Sequence, residues 1–184
     1  MPPGAEYQKR ISQFAWKELN GLWDEIRSGS TPDWPNGKAL EYLVLLAFQL
    51  GGAVVRWPYE VRLWDESEVV EQIDGAVHGR GLHCLIESKD WGKNVNIEPV
   101  AKLRNQLLRR PAGTVGVVFS RGDFTSAAVK LAQFTAHEGI LLWGGDEIDY
   151  ALRNENMLDS LDVKYRVSVE QANPYFNVTQ GEVP

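Results

Sequence analysis

The sequence has little cysteine, no long apolar run and no overall excess of basic residues. Its single cysteine, Cys84, cannot form an internal disulfide, and one thiol with three histidines cannot build a cysteine-rich zinc site. The longest apolar run, Tyr42 to Leu50, is far shorter than the roughly 20 residues that a membrane-spanning helix needs. The N-terminal stretch has no apolar core of the secretory type, so we expect a cytoplasmic protein.

The composition predicts one globular domain with an unevenly charged surface. The 184 residues are 43% hydrophobic, which is enough for one sizeable core, and the net charge of −6 argues against a general basic coat for nucleic acid. Between Lys89 and Lys130, however, eight basic residues outnumber three acidic ones, so this segment carries +5 and the rest −11. We expect a polyanion to bind this segment, although a solvated helix face that balances an acidic surface explains the charge equally well.

Apolar periodicity and turn residues predict the first half of the chain as two helices followed by strands. Apolar residues three and four apart predict an amphipathic helix from Tyr7 to Ile26. A core helix from Lys38 to Leu50 follows and ends at Gly51-Gly52. Strands are predicted at Ala53 to Leu63, bulged or at an edge because of Pro58, and as a hairpin of Val69 to His78 with Leu82 to Lys89.

The second half alternates between helices and strands. It predicts a helix from Ile97 to Arg109, a strand from Val115 to Phe119, a helix from Phe124 to Ala136, a strand from Ile140 to Trp143, a short helix from Glu147 to Leu152, and a late strand or arm at Lys164 to Glu170. Hairpin strands followed by alternating elements imply an α/β fold: a mixed β-sheet flanked by helices.

The hairpin brings acidic and basic residues to one face. Glu87 and Lys89 are two apart on a strand, so they project from the same face. A two-residue turn at Gly79-Arg80 would place Asp74 opposite Leu85 and Gln72 opposite Glu87, so that Asp74, Gln72, Glu87 and Lys89 share one patch. A slip of one residue would destroy this arrangement.

Two neighbouring carboxylates need a counter-charge, and a hard divalent cation is suited to that role. Asp74, Glu87 and the carbonyl of Ser88 would hold Mg²⁺, or Mn²⁺, for phosphodiester hydrolysis, and Lys89 would position a water or neutralise charge on the phosphorane. Glu41, on the preceding core helix, would add an acceptor outside the direct ligands or a ligand for a second metal. The competing interpretations are a cross-strand salt-bridge cluster at Glu87 and a solvated first-turn position for Glu41.

Several segments, in this order, resemble a known family. GKALEYLVLLAFQLGG, EQIDGAVHGRGLHCLIESKDW, AKLRNQLLRRP, GVVFSRGDFTSAAVKLAQ and GILLW resemble the Mrr-like branch of the PD-(D/E)XK restriction endonuclease superfamily. The resemblance implies a restriction endonuclease-like core and a metal-dependent nuclease. By position, it implies a helix glutamate at Glu41, metal ligands at Asp74 and Glu87, a catalytic lysine at Lys89, and supporting glutamines at Gln72 and Gln106.

These observations predict an N-terminal helix and linker at 1–36, a nuclease core at 37–152 and a C-terminal extension at 153–184. We expect a Mg²⁺-dependent DNA endonuclease of the restriction or defence type, with nucleic-acid contacts at Lys93, Lys102, Arg104, Arg109 and Arg110. We expect a homodimer for double-strand cleavage and a separate protein partner for target recognition. The alternative is a catalytically weak or inactive nuclease-fold module that binds nucleic acid or a protein partner in a larger complex.

Overall fold

The computed structural model describes residues 4–62, 68–135 and 139–181. The helices and strands in these ranges are, in chain order, α1 (Ala5–Ile11), α2 (Trp16–Ser28), α3 (Lys38–Leu50), β1 (Val54–Arg56), β2 (Tyr59–Arg62), β3 (Val69–Ile73), β4 (Gly75–Gly79), β5 (Leu82–Lys89), α4 (Ile97–Leu107), β6 (Thr114–Ser120), α5 (Ser126–Phe134), β7 (Ile140–Trp143), α6 (Gly145–Arg153) and α7 (Met157–Gln171), followed by a 3₁₀ turn at Val178–Gln180. No helix in these ranges combines the length and apolar character needed to cross a membrane.

A five-stranded mixed sheet is the centre of the fold. Its strand order is β1-β4-β5-β6-β7, with β1, β4 and β5 paired antiparallel and β5, β6 and β7 paired parallel. Strands β2 and β3 form a separate antiparallel pair. The predicted mixed sheet with helices on its faces is confirmed.

Apolar side chains pack on both faces of this sheet. On one face, α4 and α5 cover residues such as Leu85 and Val118. On the other face, α3, with α1, α2, α6 and α7 around it, covers residues such as Val117 and Phe119. Because the parallel strands are covered on both sides, they need the continuous apolar runs that the sequence provides.

Helix α3 is the central helix of the larger core. Every residue from Ala39 to Phe48 is buried, including Glu41, because the helix lies between the sheet and the N-terminal helices. The predicted bounds and the end at Gly51 are confirmed. An apolar surface on all sides is the sequence pattern of such a central helix.

The predicted helix from Tyr7 to Ile26 was wrong, because the chain forms two helices there. The Glu18 carboxylate accepts a hydrogen bond from the Ala15 N–H at 3.0 Å and so caps the N-terminus of α2. Both helices pack on α3. Apolar spacing alone does not reveal such a local break.

The single strands predicted at Ala53 to Leu63 and at Val69 to His78 were wrong, because each divides between the two sheets. The expected edge position of the first is confirmed, since β1 lies at the edge of the larger sheet. The first divides around Pro58, which lacks the N–H that a continuous ladder would need. The second divides at Asp74, after which Gly75 begins β4. Leu63 lies outside the described residues.

The C-terminal stretch forms helix α7 and not the predicted late strand or arm. Lys164, in the middle of α7, is fully buried beside Glu147. A lysine usually indicates a solvated segment, but this one lies in the interior. Met157 and Leu161 join the larger core. The predicted helix from Ile97 ends at Leu107, two residues early, and the Ala136 end predicted for the next helix lies outside the described residues.

Candidate active site

The turn between β4 and β5 lies one residue later than the sequence predicts. Arg80 and Gly81 both have positive φ, +53° and +77°, which is typical of the two central residues of a type I′ hairpin. Gly79 stays in the strand, where Leu158 packs so closely that a Cβ on residue 79 would lie 3.0 Å from it. The predicted turn at Gly79-Arg80 was therefore wrong.

The later turn moves the hairpin register by two residues. Gly75 pairs with Ile86, so one further step along the strands brings Asp74 opposite Glu87. The predicted pairing of Asp74 with Leu85 was wrong. Because side chains alternate with a period of two, an even shift preserves their faces, and Asp74 and Glu87 stay together.

Asp74 lies at the bend between β3 and β4 and is held by β5. Its Oδ2 accepts a hydrogen bond from the Ser88 N–H at 2.8 Å. Burial and the Glu87 carboxylate raise the pKa of Asp74, and the Ser88 N–H and the Lys89 ammonium only partly offset them. A carboxyl group in this situation gains from a nearby cation.

Glu87 is buried and has both carboxylate oxygens paired with lysines. The side chain is 1% exposed, with Oε1 at 2.5 Å from Lys89 Nζ and Oε2 at 2.7 Å from Lys102 Nζ. Burial lowers the pKa of Lys89, but Glu87, Asp74 and Glu41 together outweigh this effect and raise it. Lys89 is therefore an ammonium at neutral pH.

Glu41 faces the same group of charges from the first turn of α3. Burial, followed by the charge of Asp74, raises the pKa of Glu41 to about 7. Lys38 Nζ lies 2.9 Å from Oε1 and 2.7 Å from Oε2 of Glu41 and opposes this rise. Glu41 thus occupies the first turn of α3, as the competing interpretation held, but its carboxylate is buried beside Lys38, so the expected solvated position was wrong.

The acidic residues fit a cation held by two carboxylates. Within residues 4–62, 68–135 and 139–181, no three His, Cys, Asp or Glu side chains are grouped closely enough to hold a metal ion. Mg²⁺ commonly binds one or two protein carboxylates and fills its remaining positions with water and substrate oxygens. Asp74, at the bend before β4, and Glu87, opposite it on β5, match that demand. The carbonyl of Ser88 as a further ligand stays a prediction.

The two glutamines predicted to support the site lie on different elements, Gln72 on β3 and Gln106 on α4. Gln72 is exposed and pairs with Glu60 in the small sheet, so its predicted position opposite Glu87 was wrong. The cause is the break at Asp74, since β3 leaves the hairpin before Gln72 could pair with β5. Gln106 is buried on α4, and its Nε2 donates a hydrogen bond to the Gln72 carbonyl at 3.3 Å.

Some of the basic residues predicted to contact nucleic acid form ion pairs within the protein. Lys102 pairs with Glu87, and Arg109 and Arg110 both pair with Glu71. The other two residues, Lys93 and Arg104, are exposed and partly exposed. Contact with nucleic acid stays a prediction for all five.

Sequence reasoning missed two residues of this region. Lys38 precedes Glu41 by three positions, a spacing at which helical side chains meet, so the pair was detectable. Glu71 is buried and binds the two arginines beyond α4. No local pattern marks Glu71, because its partners lie 38 and 39 residues away along the chain.

The chain is similar to known proteins. The family model Mrr_cat, described as a restriction endonuclease, matches residues 35–152, well over half of the chain. No curated protein matches the chain. Among solved structures, the DNA modification-dependent restriction endonuclease AspBHI matches with a TM-score of 0.48 and 20% sequence identity; the match covers 84% of this chain but 41% of AspBHI. The family match confirms the resemblance of the sequence segments, and the chain belongs to the Mrr_cat restriction endonuclease family.

Proposed function

We propose that this chain is a Mg²⁺-dependent endonuclease that hydrolyses phosphodiester bonds in DNA, in restriction or defence. The observation that carries the proposal is the meeting of Asp74, Glu87 and Lys89 across β4 and β5. Two opposed carboxylates beside an ammonium are what metal-assisted phosphodiester hydrolysis requires. Membership of a restriction endonuclease family supports the same reaction class.

Each residue has a role that follows from its charge state. Asp74 and Glu87, with the Ser88 carbonyl, would hold the ion, which when bound polarises a phosphoryl oxygen and lowers the pKa of a bound water. Lys89 keeps its proton at neutral pH, because Glu87 raises its pKa. It therefore suits stabilisation of the negative charge that develops on the phosphorane better than removal of a proton. Glu41, whose pKa burial raises to about 7, would be a hydrogen-bond acceptor outside the direct metal ligands or a ligand for a second metal.

Plasmid cleavage by purified variants tests this assignment. Asp74→Asn and Lys89→Met are expected to reduce Mg²⁺-dependent cleavage by at least about 100-fold while circular dichroism stays unchanged. Asp162→Asn is the matched control, because Asp162-Val163-Lys164 has the same triplet spacing but lies on α7. Full cleavage by the Asp74→Asn variant would remove the assignment.

The alternative, a nuclease-fold module with little or no catalysis, is favoured by one observation. Both oxygens of Glu87 already have ammonium partners, so the site is neutralised by the chain itself. Calorimetry with Mn²⁺ distinguishes the two functions. Binding that disappears in Asp74→Ala/Glu87→Ala supports the enzyme, whereas no binding by the wild-type protein supports the module.

The substrate and partners are parts of the same proposal. One site of this kind cuts one strand, so double-strand cleavage calls for two copies, and we propose a homodimer on DNA. We also propose that target choice comes from a separate protein partner. Incubation with plasmid, single-stranded DNA and RNA, with and without Mg²⁺, tests the substrate, and the cytoplasmic location stays a prediction.

A further inference from the structure

The carboxylate of Glu87 is shared between two lysines that reach it from different elements. Lys89 belongs to the same strand, β5, whereas Lys102 reaches Oε2 from helix α4 at 2.7 Å. A side chain that is 1% exposed thus has an ammonium on each oxygen. One of these oxygens is needed by any cation that Glu87 is to bind.

Lys102 can leave this position more easily than Lys89. The Lys102 side chain is 44% exposed and that of Lys89 is 24% exposed. Val100 and Leu103, the neighbours of Lys102 on α4, are fully buried and hold the helix in place. A lysine has a long, flexible stem, so its ammonium can move into solvent while the helix stays in place.

We propose that Lys102 is a removable counter-ion, which occupies a metal-ligand oxygen of Glu87 in the metal-free protein and is displaced when a divalent cation binds. This inference rests on the proposed metal-dependent function and adds a competition to it. In the metal-free state, Lys102 neutralises the buried carboxylate and keeps the site assembled. Once displaced, its ammonium is free for a phosphate of the substrate backbone.

The competition predicts a measurable gain in metal affinity when Lys102 loses its charge. In Lys102→Met, the cation no longer has to break a charge-assisted hydrogen bond to reach Glu87 Oε2. Such bonds typically contribute enough that we expect Mn²⁺ to bind at least about tenfold more tightly than to the wild-type protein. The metal-free variant should unfold at a lower temperature, and saturating Mn²⁺ should raise that temperature by more than in the wild type.

Calorimetry and electron paramagnetic resonance of Mn²⁺ binding, at fixed ionic strength and without nucleic acid, test the inference. Lys130→Met is the charge-matched control, since Lys130 is exposed on α5. Tighter binding by Lys102→Met alone supports the inference. Equal affinity in wild type and Lys102→Met, or an equal gain in Lys130→Met, overturns it and leaves the proposed nuclease intact.

A second readout follows Lys102 in the unaltered protein. Displacement should expose the Lys102 side chain, so that its amino group is acetylated by acetic anhydride faster when Mn²⁺ is present, as measured by mass spectrometry of peptides. Asp74→Asn, which removes a proposed ligand, should abolish that change. Reactivity that is independent of Mn²⁺ overturns the inference, whereas absence of any Mn²⁺ binding by wild type and Lys102→Met overturns the proposed metal-dependent function as well.

Discussion

The buried ion pair between Glu147 and Lys164 fastens the end of the chain to the core, and we expect its loss to be costly. Lys164 on α7 is fully buried, and its Nζ lies 2.6 Å from Glu147 Oε1 and donates to the Phe176 carbonyl. The Glu147 carboxylate also accepts hydrogen bonds from the Val178 and Gly144 N–H groups, each at 3.1 Å. One carboxylate therefore joins α6, α7 and the final turn.

The substitution Glu147→Gln removes the charge and keeps the size of the side chain. Burial already lowers the pKa of Lys164 while Glu147 raises it, so removing Glu147 lowers the pKa further. Lys164 can then respond by losing its proton. Deprotonating a lysine of ordinary pKa at pH 7 costs about 4.6 kcal/mol. Because the variant can always avoid an unpaired buried charge in this way, the loss of stability should not exceed that value. Since broken buried pairs usually cost about 3–5 kcal/mol, we expect a loss of about 3–4.6 kcal/mol.

Urea unfolding at pH 7 and pH 9 measures this loss and its cause. In the variant, the unfolded state binds a proton on Lys164 that the folded state does not, so the free energy of unfolding rises with pH. The deficit relative to wild type should shrink by up to about 2.7 kcal/mol between pH 7 and pH 9. Glu170→Gln, on the exposed face of α7, is the control and should change stability by less than about 0.5 kcal/mol. A loss below about 1 kcal/mol, or one that does not depend on pH, would refute the reasoning.

Three further substitutions test other contacts. The pKa of Glu41 is raised from 4.5 to about 7, so the folded state holds this proton more tightly than the unfolded chain. The free energy of unfolding of the wild-type protein should therefore fall by up to about 3 kcal/mol as pH rises between these two pKa values. Glu41→Gln, compared with the wild type by urea unfolding at pH 5 and pH 8 in EDTA, should lack this fall. The same fall in both proteins would contradict the prediction. Gly116→Ala should lower the free energy of unfolding by about 1–3 kcal/mol, because the new Cβ would lie 2.8 Å from Leu103 Cδ2, whereas Gly122→Ala, with open space around it, should change little. Gly81→Ala should cost about 1–2 kcal/mol by thermal unfolding, because φ is +77° in the hairpin turn; an unchanged midpoint would argue against that turn.

Much of the candidate site was predictable, because its strongest signals are local. Glu87 and Lys89 share a face by the period of a strand, and Glu41 lies on a helix whose apolar surface marks it as central. The hairpin turn was predicted one residue early, yet the two-residue change of register preserved the pairing of faces. The site depended on the parity of the register, because an even shift keeps both carboxylates on one face whereas a shift of one residue would have separated them.

The sequence by itself determined the central helix, the apolar strands β5, β6 and β7, and the shared face of Glu87 and Lys89, because neighbouring residues decide each of them. Only the tertiary structure decided which distant charges meet. Lys102 reaches Glu87 across 15 positions and Lys164 reaches Glu147 across 17. Burial makes a partner necessary for each carboxylate, but the folding of distant segments against each other selects the partner. The stretch predicted as a late strand or arm is accordingly a packed helix that carries Lys164 to Glu147.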